Sequence, residues 1–483
     1  MDRELARYAL DLAVRRGAEY CDVRIVATTH QNIEVKNGKL ENVNDSYNIG
    51  IGIRVLVNGA WGFAGNSDMK KTKVGIAVER AFDIARASAM VCPKPIILSP
   101  RPAVRAQWDT PFEIDPFQVS LEDKLSILFA ADREMREVEG VKVSTASMDI
   151  YRQEKFFVNS EGSEIFQTIT QTGGGISSTA VGNGEVQTRS YPSSFRGQYS
   201  STGYELINRI DLVGNARRTA EESVQLLTAK QCESGRRTLI LGESQLALQI
   251  HESCGHPTEL DRVFGMEANF AGTSFMTTDL LGNLKYGSDI VNIVSDATCP
   301  GGLGTYGFDD EGIPGQKVHI IKDGIFVGYQ TSRETARILG QQSNGTMRAQ
   351  SWNDIPLIRM ANINLLPGDS ELEEMIATTE DGLLLTTNRS WSIDDKRLNF
   401  QFGTEIGWEI KNGKLGAMVK NPTYGGRTPE FWNSCDAIAN EKHYGLWGTP
   451  NCGKGQPMQV MRVGHGCSYA RFNNVKVGVG YAG

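Results

Sequence analysis

The sequence predicts an α+β protein, with an N-terminal helix-plus-antiparallel-sheet region followed by a β-rich C-terminal domain that carries a helix bearing the run His251–His256. Three observations predict it. Helical stripes and period-two runs share the first 230 or so residues, turn-forming Asn-Gly and Asp-Gly pairs recur along the chain, and beyond Gly235 helical periodicity becomes rare.

The first segment places Leu5, Ala9, Leu12 and Ala13 on one helical face and should end at Gly17. Strands follow, in which Val23 and Ile25 alternate with Asp22 and Arg24, and Asn37-Gly38 and Asn58-Gly59 have the composition of tight hairpin turns. A helix over 71–90 closes this unit, 1–91. The stretch 92–116 carries Pro93, Pro95, Pro100, Pro102, Pro111 and Pro116 and reads as an extended linker. The middle region, 117–235, has a helix near 121–139, strands on either side of Glu161-Gly162, and a helix over 210–228. Gly173-Gly174-Gly175 lacks the flanking strand, spacing and helix of a nucleotide loop and reads as a bend in a strand or loop. In the last region, 236–483, Asp323-Gly324 and Asn412-Gly413 mark further hairpins, interrupted only by the helix that bears His251 and short helices near 332–340 and 370–378. Trp352, Trp391, Trp408, Phe431 and Trp432 read as aromatics that pack sheets and interfaces.

The 483 residues are enough for two or three domains, each with its own core. No apolar run reaches the roughly 18 residues that span a bilayer, so no membrane partner is expected. The opening Met1-Asp2-Arg3-Glu4 is unlike a signal peptide, and eight scattered cysteines suit reduced thiols, so a cytoplasmic location is expected. A net charge of −7 without a long basic block disfavours nucleic acid.

With only six histidines in the chain, the run His251-Glu252-Ser253-Cys254-Gly255-His256 gathers two imidazoles and a carboxylate. Imidazole nitrogens are good zinc ligands, and a glutamate beside the first can take a proton from water. The familiar H-E-x-x-H spacing puts its histidines four apart on one helical face. Here they are five apart, about 140° around an ideal helix, so both reach one ion only if the backbone changes. Gly255 tolerates most conformations and Pro257 disfavours the α region for His256, so the helix should loosen or end at Gly255-His256. Before the motif, 238–241 reads as a strand and Ser244 as a helix N-cap. Leu246, Ile250 and Cys254 then form a buried stripe.

A catalytic zinc site takes three protein ligands and one open position. The other histidines are His30, His319, His443 and His465. Among the cysteines Cys452 stands out, in a glycine- and proline-rich stretch, 448–457, where a thiolate can be exposed and Lys454 can favour the charged form. A small buried hydrophobe is the alternative for this cysteine.

Over most of its length the chain resembles the TldD/PmbA family, in its metallopeptidase branch. The H-E-x-x-x-H motif falls on His251, Glu252 and His256. Gly307-Phe308-Asp309-Asp310-Glu311-Gly312-Ile313-Pro314, Arg348-Ala349-Gln350-Ser351 with Ile358-Arg359-Met360, and Asn451-Cys452-Gly453-Lys454-Gly455-Gln456 are similar to the family's C-terminal signatures. The resemblance implies one zinc per chain held by His251, His256 and Cys452, with Glu252 activating water. PmbA-type subunits, also called TldE, share the fold but lack the motif, so the resemblance places this chain with the catalytic partner. It further implies a homodimer, or a heterodimer with a PmbA/TldE-type subunit, enclosing a cavity that admits unfolded or extended peptide, which can add as a strand to a sheet edge.

Asp309, Asp310 and Glu311 can be read as orienting a ligand imidazole or as solvated turn carboxylates. Two rival readings predict different chemistry. A cysteine hydrolase with Cys452 as nucleophile and His443 or His465 as base would survive chelation and die on alkylation. A noncatalytic assembly subunit with structural zinc would be indifferent to Glu252→Gln.

Overall fold

The computed structural model describes residues 1–479. The two long antiparallel strands Tyr20–Lys36 and Lys39–Val57 are joined at Asn37-Gly38, whose φ values of 49° and 77° are those a two-residue turn with both centres left-handed requires. Asn58-Gly59, Asp323-Gly324 and Asn412-Gly413 adopt the same left-handed pairs, as their composition predicts. Strands from 1–91 and from 117–235 pair in one sheet, in the order Ala60–Asn66, Lys39–Val57, Tyr20–Lys36, Val141–Asn159, Glu164–Gly182. Arg105–Asp109, within the proline-rich stretch, adds to Glu164–Gly182 as a parallel strand. The triple glycine lies inside Glu164–Gly182, where a Cβ on Gly173 would stand 2.1 Å from the Tyr199 ring.

Helices cover this sheet at both ends. Arg3–Arg15 and Lys71–Ala89 bury Leu5, Ala9, Val78 and Phe82 against Val23, Ile25, Ile53 and Val55. Leu121–Arg136 and Leu212–Leu226 bury Leu128, Met135 and Ala216 against Ile33, Val35 and Met148. The alternation of Val23 and Ile25 with Asp22 and Arg24 sets apolar against polar faces, but the polar face is also buried. Asp22 and Arg24 are each 1% exposed because the C-terminal region lies over them. Arg54 Nε and Nη2 donate to Asp22 Oδ2 at 2.8 and 2.6 Å, Lys155 Nζ donates to Asp310 Oδ1 at 2.8 Å, and Trp352 packs on Gly50 and Gly65.

This corrects both readings of the acidic run. Asp309 accepts the backbone N–H groups of Glu311, Ile313 and Met347, and Glu311 accepts that of Arg333. The three carboxylates are buried, and their recorded partners are these amides, Lys155, Arg54 and the Ala349 N–H rather than an imidazole.

Arg462 of the C-terminal region donates to Asp149 Oδ1 at 2.7 Å across the same contact, and His30 lies 2.6 Å from Asp149 Oδ2. Burial raises the Asp149 pKa, but Arg462 and His30 outweigh it and hold it well below the ordinary value of 3.8. A carboxylate whose folded pKa is depressed contributes stability that is present above the unfolded value and lost as pH falls below about 4. Asp149→Asn should therefore cost about 2–4 kcal/mol at neutral pH, through an unpaired Arg462, and flatten the loss of thermal stability below pH 4. Calorimetry of both proteins from pH 3 to pH 7 checks this, and parallel acid limbs would refute it.

The C-terminal sheet runs Asp381–Ile393, Gly235–Leu241, Ala470–Val479, Pro422–Arg427, Asn399–Lys411, and the pairing of Asp381–Ile393 with Asn399–Lys411 closes these strands into a ring. Phe400, Phe402, Tyr424, Phe431, Trp432 and Phe472 pack in this core with Leu246, Ile250 and Cys254 of the motif segment. Phe431 and Trp432 are thus core aromatics, whereas Trp391 is 51% exposed, with an edge contact to Phe195. Beside the ring, Gly445–Lys454 and Gln459–Cys467 form a separate two-stranded hairpin.

Candidate metal centre

The strand Gly235–Leu241 leads into the helix Glu243–Ile250, which starts one residue before Ser244; Gly242 is the N-cap and the Ser244 hydroxyl accepts from Thr387 N instead. At His251 the helix changes pitch. His251–Gly255 is a π turn, closed by the His256 N–H donating to the His251 carbonyl, and His256–Thr258 follows as a 3-10 turn. A bond from i+5 to i stacks residues five apart on one face, so the motif itself supplies the change of geometry its spacing demands. Gly255 is not there for unusual dihedrals, since its φ is −59°; a Cβ at this position would meet Met360 Sδ at 2.2 Å.

The two imidazoles meet edge to face, with centroids 4.8 Å apart, and Cys452 Sγ lies 3.6 Å from His256 Nε2. One donor atom from each of His251, His256 and Cys452 falls within 4.8 Å of the others, and all three residues are buried. A tetrahedral zinc shell needs such atoms about 3.5 Å apart; the 3.6 Å between Cys452 Sγ and His256 Nε2 meets that, and the two-nitrogen, one-sulfur set suits a zinc ion in chemistry. Cys452 is 4% exposed on a strand rather than displayed in a loop, because 445–454 pairs with 459–467. Burial raises its thiol pKa, but His256 and Arg359 outweigh it and the net shift is downward. Lys454 is engaged elsewhere, donating to Asp261 Oδ1 at 2.7 Å and to the Ile358 carbonyl at 2.6 Å, and standing 3.4 Å from Glu259 Oε2.

Hydrogen bonds behind the donors orient them. His256 Nδ1 donates to Glu259 Oε2 at 2.9 Å, which directs Nε2 toward Cys452. His251 Nδ1 is 2.8 Å from His465 Nε2, and His465 Nδ1 is 3.2 Å from the Ile363 carbonyl. A carbonyl only accepts, so His465 carries its proton on Nδ1 and accepts on Nε2. His251 then carries its proton on Nδ1 and presents an Nε2 lone pair. Burial, reinforced by His251 and His256, pushes the His465 pKa well below its ordinary value, consistent with a neutral ring.

Glu252 is 6% exposed, and Arg397 Nη1 donates to its Oε2 at 2.6 Å. Burial raises the Glu252 pKa, but Arg397 and then the two motif histidines bring it below the ordinary glutamate value, so the group is a carboxylate. His443 lies elsewhere, beside Tyr469, and His465 is bonded to His251, so neither is placed as a base for Cys452. Three partners escape the sequence reading. Glu259 had a local signal, three residues after His256; His465 and Arg397 lie 214 and 145 residues from the groups they touch, beyond any local pattern.

The family model of the PmbA/TldA metallopeptidase C-terminal domain matches residues 234–479, and those of domain 1 and the central domain match 21–89 and 114–229. A metalloprotease of Methanocaldococcus jannaschii is 30% identical over 451 residues, covering 93% of this chain and 95% of its own length. A zinc metalloprotease TldD homolog of Saccharolobus solfataricus is 23% identical, covering 96% of this chain and 97% of its own. Among solved structures, TldE from Thermococcus kodakarensis has the same fold, with a TM-score of 0.75 at 16% identity over 99% of each chain.

Proposed function

This chain belongs to the PmbA/TldA metallopeptidase family, and from that premise we propose that it is a zinc-dependent peptidase that hydrolyses unfolded or extended peptides, with Glu252 as the general base. The observation that carries the reading is the convergence of His251, His256 and Cys452 donors beside a buried carboxylate that is not one of them. One zinc per chain is held by these three residues. Zinc bound there supplies a Lewis acid that acidifies water and polarises a carbonyl. Glu259 and His465 hold the two imidazoles with their lone pairs inward. Glu252 takes a proton from the attacking water and returns it to the leaving nitrogen.

The chain acts in the cytoplasm, as a homodimer or with a PmbA/TldE-type subunit, and its cavity excludes folded proteins. No helix of the described residues is long and apolar enough to cross a membrane. Regions 1–91, 117–235 and 236–483 are its three units, joined by 92–116 between the first two.

Metal analysis by mass spectrometry with cleavage of an unfolded peptide tests the reading. About one zinc per chain is expected, chelation should stop cleavage and zinc restore it, and Cys452→Ala should weaken zinc binding by more than about 100-fold. Cleavage by metal-free wild type, or full zinc retention by Cys452→Ala, would overturn it.

A further inference from the structure

We propose that Arg397 is a catalytic residue, whose guanidinium donates a hydrogen bond to the scissile carbonyl oxygen as that oxygen becomes negative. This rests on the peptidase reading above. Arg397 reaches Glu252 from a turn between Asp381–Ile393 and Asn399–Lys411, and its side chain is 15% exposed. One guanidinium nitrogen holds the general base, while Nε is buried without a partner. A buried donor left unpaired costs about 1–3 kcal/mol, and an incoming oxygen acceptor would relieve that cost.

The backbone points the same way. Arg397 has φ = 64°, in the left-handed region that glycine or asparagine occupies more cheaply, so arginine is not at this position for the turn's sake. The turn is clamped on all sides. Leu398 N donates to Asp394 Oδ1 at 2.7 Å, Phe275 N to the Lys396 carbonyl at 2.9 Å, Arg262 Nη2 to the Asp395 carbonyl at 2.8 Å, and Thr428 Oγ1 to the Arg397 carbonyl at 3.0 Å. These contacts hold a permanently charged donor beside the base. Preorganised donors of this kind stabilise developing oxyanions most when water is excluded.

In the step, Glu252 takes one proton of water, the water oxygen bonds to the carbonyl carbon, and the C=O π pair moves onto the oxygen facing Arg397. Collapse re-forms C=O and breaks the C–N bond, and the proton on Glu252 passes to the leaving nitrogen. The products are a carboxylic acid and an amine.

The test compares zinc-loaded wild type, Arg397→Met and Arg397→Lys in peptide cleavage and in binding of a phosphinic peptide, an isostere of the tetrahedral state. Arg397→Met should lower kcat by about 100- to 1,000-fold with zinc content unchanged and KM within about threefold, and Arg397→Lys should recover part of the loss. Binding of the phosphinic peptide should weaken in parallel, also in a Glu252→Gln background, where an effect relayed through the base is removed. Unchanged kcat, or lost kcat with undiminished binding of the phosphinic peptide, overturns the assignment alone. Wild type without zinc-dependent cleavage overturns the peptidase reading and this assignment with it.

Discussion

Glu252→Gln should reduce kcat at least about 1,000-fold while the protein keeps its zinc. The amide matches the carboxylate in size, and its carbonyl oxygen can still accept from Arg397 Nη1, so the local hydrogen bond survives. What disappears is the capacity to take a proton from water. Because Glu252 is not among the converging donors, metal content and peptide KM should stay close to wild type. A stopped reaction with zinc retained is the signature of a general base. If cleavage continued unchanged, the zinc would be structural and the chain a noncatalytic assembly subunit.

The largest expected effect on stability is that of Lys454→Met. Lys454 has no exposed side-chain surface, and its ammonium is the ion-pair partner of Asp261 and lies within 3.4 Å of Glu259. Burial raises the Glu259 pKa, but Lys454, then His256, brings it far below the ordinary value, so Glu259 is ionised in the folded protein. Removing the ammonium leaves two carboxylates in a dry site, with Arg359 and Arg262 the cations still near Glu259. The cost should be about 4 kcal/mol, read as a fall of roughly 10 °C in thermal midpoint. Zinc affinity should weaken about 10- to 100-fold, because Glu259 orients His256. Adding Asp261→Asn to Lys454→Met should restore part of the midpoint, and an unshifted melt for the single variant would contradict the account.

Local signals in the sequence carried the elements they govern. Asn-Gly and Asp-Gly pairs located four hairpins because few other residues accept consecutive left-handed dihedrals. The apolar stripe at Leu5, Ala9 and Ala13 located the first helix because burial on one face sets its period. Where the reading stopped, the determinant was a contact between distant segments. The burial of Asp22 and Arg24 was not legible, because alternation reports that two faces differ and cannot report what covers the polar one. The stretch around Cys452 looked like a loop because its glycines and prolines mask a strand that only its partner at 459–467 reveals. Of the residues gathered at the candidate centre, His251, Glu252 and His256 stood out through local spacing and scarcity. Cys452 needed a family resemblance, and Arg397 and His465 needed the fold.

The π turn at His251–Gly255 has a consequence for how such centres arise. One residue inserted into an ordinary helix would rotate everything downstream by about 100°, unless the excess is absorbed within a single turn. Here it is absorbed between the two histidines, so Leu246 and Ile250 upstream and Leu260 downstream all remain in one core. Spacings of four and of five are then alternative solutions to one demand, that two imidazoles stack along the same line. A single added codon separates them, and the wider turn lets the chain accept it without rebuilding the protein around it.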